Sequence, residues 1–390
     1  MWCAAVVLLG LAGQRWTVGG TGPANFPTIQ AAIDAPEVQS GDTLLVYPGS
    51  YGDFTLTKDL GIVARAQQSF AVLDVRVEQI AEFTIAGMNA RSLVVQDVTG
   101  RGRLDQCSIG FQYVSPWNAF LWAGSAEFVD CAELVVTRSF FHGSDSCYPN
   151  LSSDTNAVLV RRSTVAFVDC QVFGGDDDAC GNHPTFLGGP AIEAYEQSDV
   201  TLAGTTVKGG SHSSVLPGYP ALYLGSSHAR IRGSSFTSIA QGPGSSATSA
   251  IEGAGATATL SGVTVSPPAL PPWVIVIAEP EPWIRVSGSD LPESAKSIEL
   301  YGPAAAQVAI GLSATPLLVA TPLGPLWIDP DSLLRFYRTL ALGQGTPSTQ
   351  PLPLGALGGG AGDAFDLQGL AVQPSLANVL TNPAQVILRW

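Results

Sequence analysis

Six segments of the chain align on one another: GRLDQCSIG (Gly102 to Gly110), VVTRSFFHG (Val135 to Gly143), VAFVDCQVFGG (Val165 to Gly175), VTLAGTTVKGG (Val200 to Gly210), ARIRGSSFTS (Ala229 to Ser238) and ATLSGVTVS (Ala258 to Ser266). One small position recurs at Cys107, Ser139, Cys170, Thr205, Ser234 and Val263, in steps of 32, 31, 35, 29 and 29 residues. A second register lies upstream of four of them, at AVLV (from Ala157), AIEAY (from Ala191), ALYL (from Ala221) and AIEG (from Ala250). Each unit therefore holds at least two short strands separated by turns. A unit of this size cannot enclose a core alone, so neighbours must stack and bury their inward side chains against one another. The fold expected is all-β, a right-handed parallel β-helix. Its coils rise by one strand spacing, and eight or nine of them between residues 43 and 266 would make a rod of ~40 Å. The recurring small residues would stack inside it as a ladder, with Cys107 and Cys170 as buried apolar groups rather than catalytic thiols.

Composition agrees with that reading. Forty-three glycines and 28 prolines in 390 residues favour short strands and turns over long helices. The net charge of −14, with three lysines (Lys58, Lys208, Lys296), leaves no basic field for phosphates and excludes nucleic acid as a partner. Met1 to Gly13 is an apolar run of signal-peptide length, too short to span a bilayer. Residues 1–15 are therefore expected to be a leader, and the protein to be secreted or held at the cell surface. No Lys or Arg precedes the run, which leaves a truncated start or a buried first strand as the competing readings.

A solenoid needs its open ends covered. NFPTIQAAIDAPEVQSGDTLLVYPGSY (Asn25 to Tyr51) supplies a short helix with Ile29 and Ile33 on one face, a stop at Pro36, and a turn at Ser40, Gly41 and Asp42 into a strand from Thr43. Thr28 to Asp34, Gly41, Asp42 and Pro48 to Tyr51 resemble the N-terminal cap and first coil of secreted bacterial β-helix proteins of the pectin-lyase-like superfamily. The resemblance extends over residues 16–266 and implies fold, with little about reaction. PPALPP (Pro267 to Pro272) reads as a stiff linker. Residues 273–390, with strand-like runs between Pro and Gly, read as a small β-sandwich. That tail is also similar to C-terminal modules of such exported proteins, through FDLQGLAV (Phe365 to Val372).

Three kinds of active site are known on the fold this resemblance implies. A uronate lyase needs a base and cationic neutralisation of its substrate, for which Lys208 with Arg230 or Arg232, one coil apart, are candidates. A glycoside hydrolase needs two facing carboxyls. Asp177, Asp178 and His183 are the candidates there, although the Asn-Thr-Asp, Gly-His-Gly and Arg-Ile-Lys motifs of polygalacturonases are absent. Nothing matches the residue set of a pectin methylesterase. No cofactor is required. Asp176, Asp177 and Asp178, with Asp145 or Asp154, are candidate calcium ligands, against the plainer reading of a solvated turn. Cys147 and Cys180 follow the glycines ending successive ladder segments by four and five residues, which places them in equivalent stacked loops and predicts a disulfide, with Cys131 free or buried. Tyr113, Trp117, Trp122, Tyr148, Tyr195, Tyr219 and Tyr223 are candidates to stack on sugar rings. The function favoured is an extracellular binding or structural protein directed at a polysaccharide or cell-surface component. The alternative is a polysaccharide lyase or hydrolase with a groove over the coils from about residue 140 to 235.

Overall fold

The computed structural model describes residues 13–19, 24–65, 68–114, 120–144, 156–175, 188–210, 219–237, 249–277, 281–287, 296–301, 307–313, 316–321, 324–328, 333–339, 348–352, 364–372 and 379–387. It is a right-handed parallel β-helix with three faces. The first face is an eleven-stranded parallel sheet running from Arg15–Val18 through Arg101–Asp105, Glu133–Thr137, Thr164–Val168, Asp199–Ala203 and His228–Arg232 to Val274–Ile277. The second face carries Ser108–Ile109, Phe140–His142, Gln171–Phe173, Thr206–Lys208, Ser235–Thr237 and Thr264–Ser266. The third carries Ala126–Val129, Val158–Arg161, Ile192–Tyr195, Leu222–Gly225 and Ile251–Ala254. Two eleven-residue strands, Phe70–Ile80 and Met88–Val98, run through the second and third faces without a break. In each later coil, from Ile109 onward, a longer connection leaves the second face and returns at the third.

Each aligned repeat is a first-face strand, a two-residue corner and a second-face strand; the upstream register is the third face. The recurring small position lies in the corner itself. The residue before it takes a left-handed conformation, at Gln106 (φ 50°), Arg138 (48°), Asp169 (55°), Gly204 (58°), Gly233 (52°) and Gly262 (59°). That sharp corner turns the next side chain inward, and only a small one fits. The ladder is hydrogen-bonded from coil to coil: Cys107 N donates to Ser139 Oγ (3.0 Å), Cys170 N to Thr205 Oγ1 (3.4 Å) and Thr205 N to Ser234 Oγ (3.1 Å). A second ladder, which the repeat did not announce, lines the corner between the third and first faces. There Cys131 N donates to Ser163 Oγ (2.9 Å), Ser163 N to Ser198 Oγ (3.3 Å) and Ser198 N to Ser227 Oγ (3.2 Å). Cys131 is thereby buried, as are Cys107 and Cys170, and all three are free thiols.

The N-terminal end is closed by a helix, Ile29–Asp34, capped by Thr28 Oγ1, which accepts from Ala31 N (3.1 Å). Ile29, Ala32 and Ile33 bury its inner side over the first coils. The Asp42 carboxylate accepts from Gln14 N (2.6 Å), Gln39 N (2.9 Å) and Trp16 Nε1 (2.9 Å), tying cap to coil. Gln14 and Arg15, placed by the sequence in the leader, thus belong to the first coil, whose strand begins at Arg15. Residues 1–12 lie outside the described residues. No helix among the described residues is long and apolar enough to cross a membrane.

At the other end Leu270, Trp273 and Val274 pack on the core, and Val274–Ile277, expected in the sandwich, pairs parallel with Thr257–Ser261 as the eleventh rung. Small antiparallel sheets follow. One joins Trp283–Ser287, Lys296–Tyr301 and Ser348–Leu352; another is built on Gln307–Ser313 and Ala364–Val372. These sheets lie on the outer side of the first face. Gln385 Nε2 donates to Leu104 O and Thr137 Oγ1, both at 2.9 Å. Trp283 packs with Val168 and Ala203, and lies where a Cβ at Gly204 or Gly233 would come within 2.6 and 2.4 Å of it. Ile387 packs with Val63 and Ala86.

Candidate functional site

Polar residues that point outward from the first face are buried beneath the C-terminal sheets. Arg230 binds Glu281 through Nε (3.0 Å) and Nη2 (2.7 Å), and Arg232 Nε binds the same carboxylate at 2.8 Å. Burial pulls the Arg232 guanidinium down to about 10, so it remains charged at neutral pH; burial opposes the charge of Glu281, but Arg230 and Arg232 outweigh it and hold that carboxyl below its ordinary value. Lys208 stands on the second face, above the Phe173 ring at 6.0 Å. Lys208 and Arg230 therefore do not converge as a lyase site. They lie on either side of a corner, and Arg230 is a structural contact of the C-terminal sheets.

Asp176, Asp177, Asp178, Cys180, His183, Cys147, Asp145 and Asp154 lie outside the described residues. The ends of the loop that carries Asp176 to His183 are placed: Gly189 N donates to Gly175 O (3.2 Å) at the corner between the second and third faces. Among the described residues no group of three or more His, Cys, Asp or Glu could hold a metal ion. His142, on the second face, is buried among Phe140 and Phe173, with Nδ1 2.8 Å from Gly143 O, an arrangement that packs the corner.

The third face is the one to which the long connections return, and its outward residues stand in register. Ile192, Ala194, Leu222, Leu224 and Ile251 point into the core, so Glu193, Tyr195, Tyr223 and Glu252 point out. Strand pairing aligns Glu127, Leu159, Glu193, Tyr223 and Glu252 in one column, and Val129, Arg161, Tyr195, Gly225 and Ala254 in the next. Tyr195 and Tyr223 face each other with ring centroids 5.6 Å apart and planes 46° apart. A Cβ at Gly225 would come within 2.5 Å of Tyr195 Cδ1, so the ring leans across the next rung over a position that glycine keeps clear. Burial, aided by the charge of Glu193, pushes the Tyr195 phenol up to about 12, and it stays a neutral donor. Burial also raises the carboxyl of Glu252. Asn156 Nδ2 donates to Glu193 Oε2 at 3.2 Å.

Next to Tyr195 the corner is irregular. Most corners between the third and first faces spend one left-handed residue, as at Asp130, Arg162 and Ser226; this one spends two, Glu196 (φ 58°) and Gln197 (φ 64°). Two consecutive left-handed non-glycine residues are strained. The extra residue lifts Glu196 towards Arg162, which pairs with it and with Asp130 (2.6 and 2.7 Å). The result is an open cleft of ≈ 570 Å³ lined by Arg162, Tyr195, Glu196, Gln197, Gly225, Ser226 and Ala254. Strain, a cleft, and an aromatic ring laid over a glycine coincide at one place. The sequence singled out Tyr195 and Tyr223 among seven aromatics but not Glu193, Glu252 or the corner. The inserted residue shows only once the faces are known, as the change from a 34-residue step between Arg161 and Tyr195 to a 35-residue step between Thr164 and Asp199.

No protein-family model and no curated protein matches the sequence. Among solved structures the chain is similar to the A-module of the Azotobacter vinelandii mannuronan C-5 epimerase, at 9% identity over 61% of this chain and 80% of that one, with a TM-score of 0.30. It is similar to the enzymatically active domain of tailspike protein 2 of bacteriophage CBA120, at 9% identity over 97% of this chain and 71% of that one, with a TM-score of 0.35. It is likewise similar to the full-length tailspike protein 2 of an Escherichia coli O157:H7 bacteriophage, at 10% identity over 97% of this chain and 64% of that one, again with a TM-score of 0.35.

Proposed function

We propose that the protein is a carbohydrate-directed binding protein acting outside the cell or at its surface, with its glycan lying along the third face. The observation that carries this reading is the Tyr195 ring leaning across Gly225 beside Tyr223, on a face whose other outward residues include Glu127, Glu193, Glu252 and Arg161. A sugar presents an apolar C–H face and a polar rim. Two partly buried rings flanked by hydrogen-bonding groups complement both. The parallel rungs space outward side chains ~4.8 Å apart along the face, which suits an extended polymer. Calorimetric titration with a panel of neutral, amino and uronate oligosaccharides tests the reading. At least one glycan binds, and Tyr195→Ala weakens it by about tenfold, the ~1.4 kcal/mol that one stacked ring contributes. Undiminished binding by Tyr195→Ala would remove this face from the reading.

A glycoside hydrolase is the second reading. Glu193 and Glu252 stand two rungs apart in one column, ~10 Å between backbones, and burial raises the Glu252 carboxyl. A pair of carboxyl groups set apart along one face is what glycoside hydrolysis with inversion uses. The check is the appearance of new reducing ends on any glycan that binds, abolished by Glu252→Gln.

A further inference from the structure

Resting on the glycan-binding reading of the third face, we infer that this face sorts glycans by charge, excluding polyuronates and favouring uncharged chains, with amino-sugar chains bound at least as well. Three observations lead there. First, the carboxylates of Glu127, Glu193 and Glu252 recur at every second rung of one column, alternating with Leu159 and Tyr223. A polymer laid along the rungs passes all three. Second, the cations nearby are already committed or outnumbered. Arg162 is held by Asp130 and Glu196, leaving Arg161, in register with Tyr195, against the three carboxylates of the column. Third, the aromatic platform makes this a binding surface independently of its charge. The Tyr195 ring is positioned by the missing Cβ of Gly225, and a cleft of ≈ 570 Å³ opens beside it. A uronate chain on that platform would set one carboxylate per sugar against a fixed row of like charge, on a chain whose net charge is already −14. An amine in the same place meets the opposite field.

The experiment measures affinity for three hexasaccharides of similar length, built from glucose, glucosamine and galacturonic acid, at low and at high ionic strength. The wild-type protein is expected to bind glucosamine at least as tightly as glucose, and galacturonate at least about tenfold more weakly. High salt narrows that spread because partly exposed charges are screened. In the Glu193→Gln/Glu252→Gln variant the ratio of galacturonate to glucose dissociation constants falls towards one. Far-ultraviolet circular dichroism verifies that the variant is folded, and the single variants serve if the double one is not. Equal wild-type affinity for galacturonate and glucose, glucosamine binding weaker than glucose, or an unchanged ratio in the variant overturns the inference. Loss of the Tyr195→Ala effect on glucose binding instead overturns the placement of the glycan on this face, so the two failures are distinguishable.

Discussion

Tyr195 is positioned by what its neighbour lacks. Gly225→Ala puts a methyl group where the ring lies and forces it off the platform. Binding is expected to weaken by about the same tenfold as in Tyr195→Ala, with thermal stability nearly unchanged, since the site is at the surface. Titration and melting of one variant separate the two effects. The cysteines show the opposite kind of dependence. Desolvation pushes Cys131 up to about 11 and Cys170 up to about 12, so both stay protonated and inert. Thiol labelling followed by peptide mapping is expected to leave Cys107, Cys131 and Cys170 unmodified in the native protein and to modify them after denaturation. At this scale the sequence showed that Cys107 and Cys170 were interior, because they occupy a position filled elsewhere by Ser and Thr. It could not rank Tyr195 above other aromatics, since that rank comes from a register with Gly225 thirty residues away.

Corners decide the elements. A β-helix strand of three to five residues has little propensity of its own, and the rungs are fixed by the left-handed turn that begins each corner and the small residue that ends it. Ser163 serves both neighbours: its Oγ accepts from Cys131 N and donates to Arg161 O (2.7 Å). Ser163→Ala leaves the buried Cys131 N–H without that acceptor and is expected to cost ~1–3 kcal/mol in denaturant unfolding. Ser163→Cys, the residue found one coil earlier, is expected to cost less. The first ladder was legible because its corner sits inside the aligned segments. The second was not, because its corner is entered by Asp130, Arg162, Gln197 and Ser226 in turn, residues with nothing in common but their backbone.

Over the whole molecule, the rod and the C-terminal sheets are joined by charge as much as by apolar contact. Asp105 is fully buried; burial opposes its charge, and Arg138, Lys296 and the Thr137 hydroxyl outweigh that and hold it below its ordinary value. Glu281 is likewise held low by Arg230 and Arg232. Depressed carboxylates contribute stability that is fully present above their unfolded values of 3.8 and 4.5 and is lost as pH falls below them. Asp169, beside Arg285, has the opposite sign: burial raises it, and acid relieves it. Asp105 faces Lys296 of the C-terminal sheets and Glu281 binds two arginines of the first face, so protonating this pair is expected to loosen the sheets from the rod below about pH 4. Trp283 fluorescence and limited proteolysis across that range report it. Glu281→Gln strands the buried Arg232 beside Arg230 and is expected to cost ~3–5 kcal/mol at neutral pH. None of this docking was legible in the sequence, because Arg230 and Arg232 read as candidates to neutralise a substrate until a partner 51 and 49 residues away was placed on them. The long connections leave the rod at a single corner, their ends pinned by bonds such as Gly189 N to Gly175 O. Rung register does not depend on how many residues lie between such pins, and lengthening a closed loop costs little. That edge is therefore a natural display rack: peptides spliced into successive connections would be presented one above another at the rung spacing, without altering the shaft that carries them.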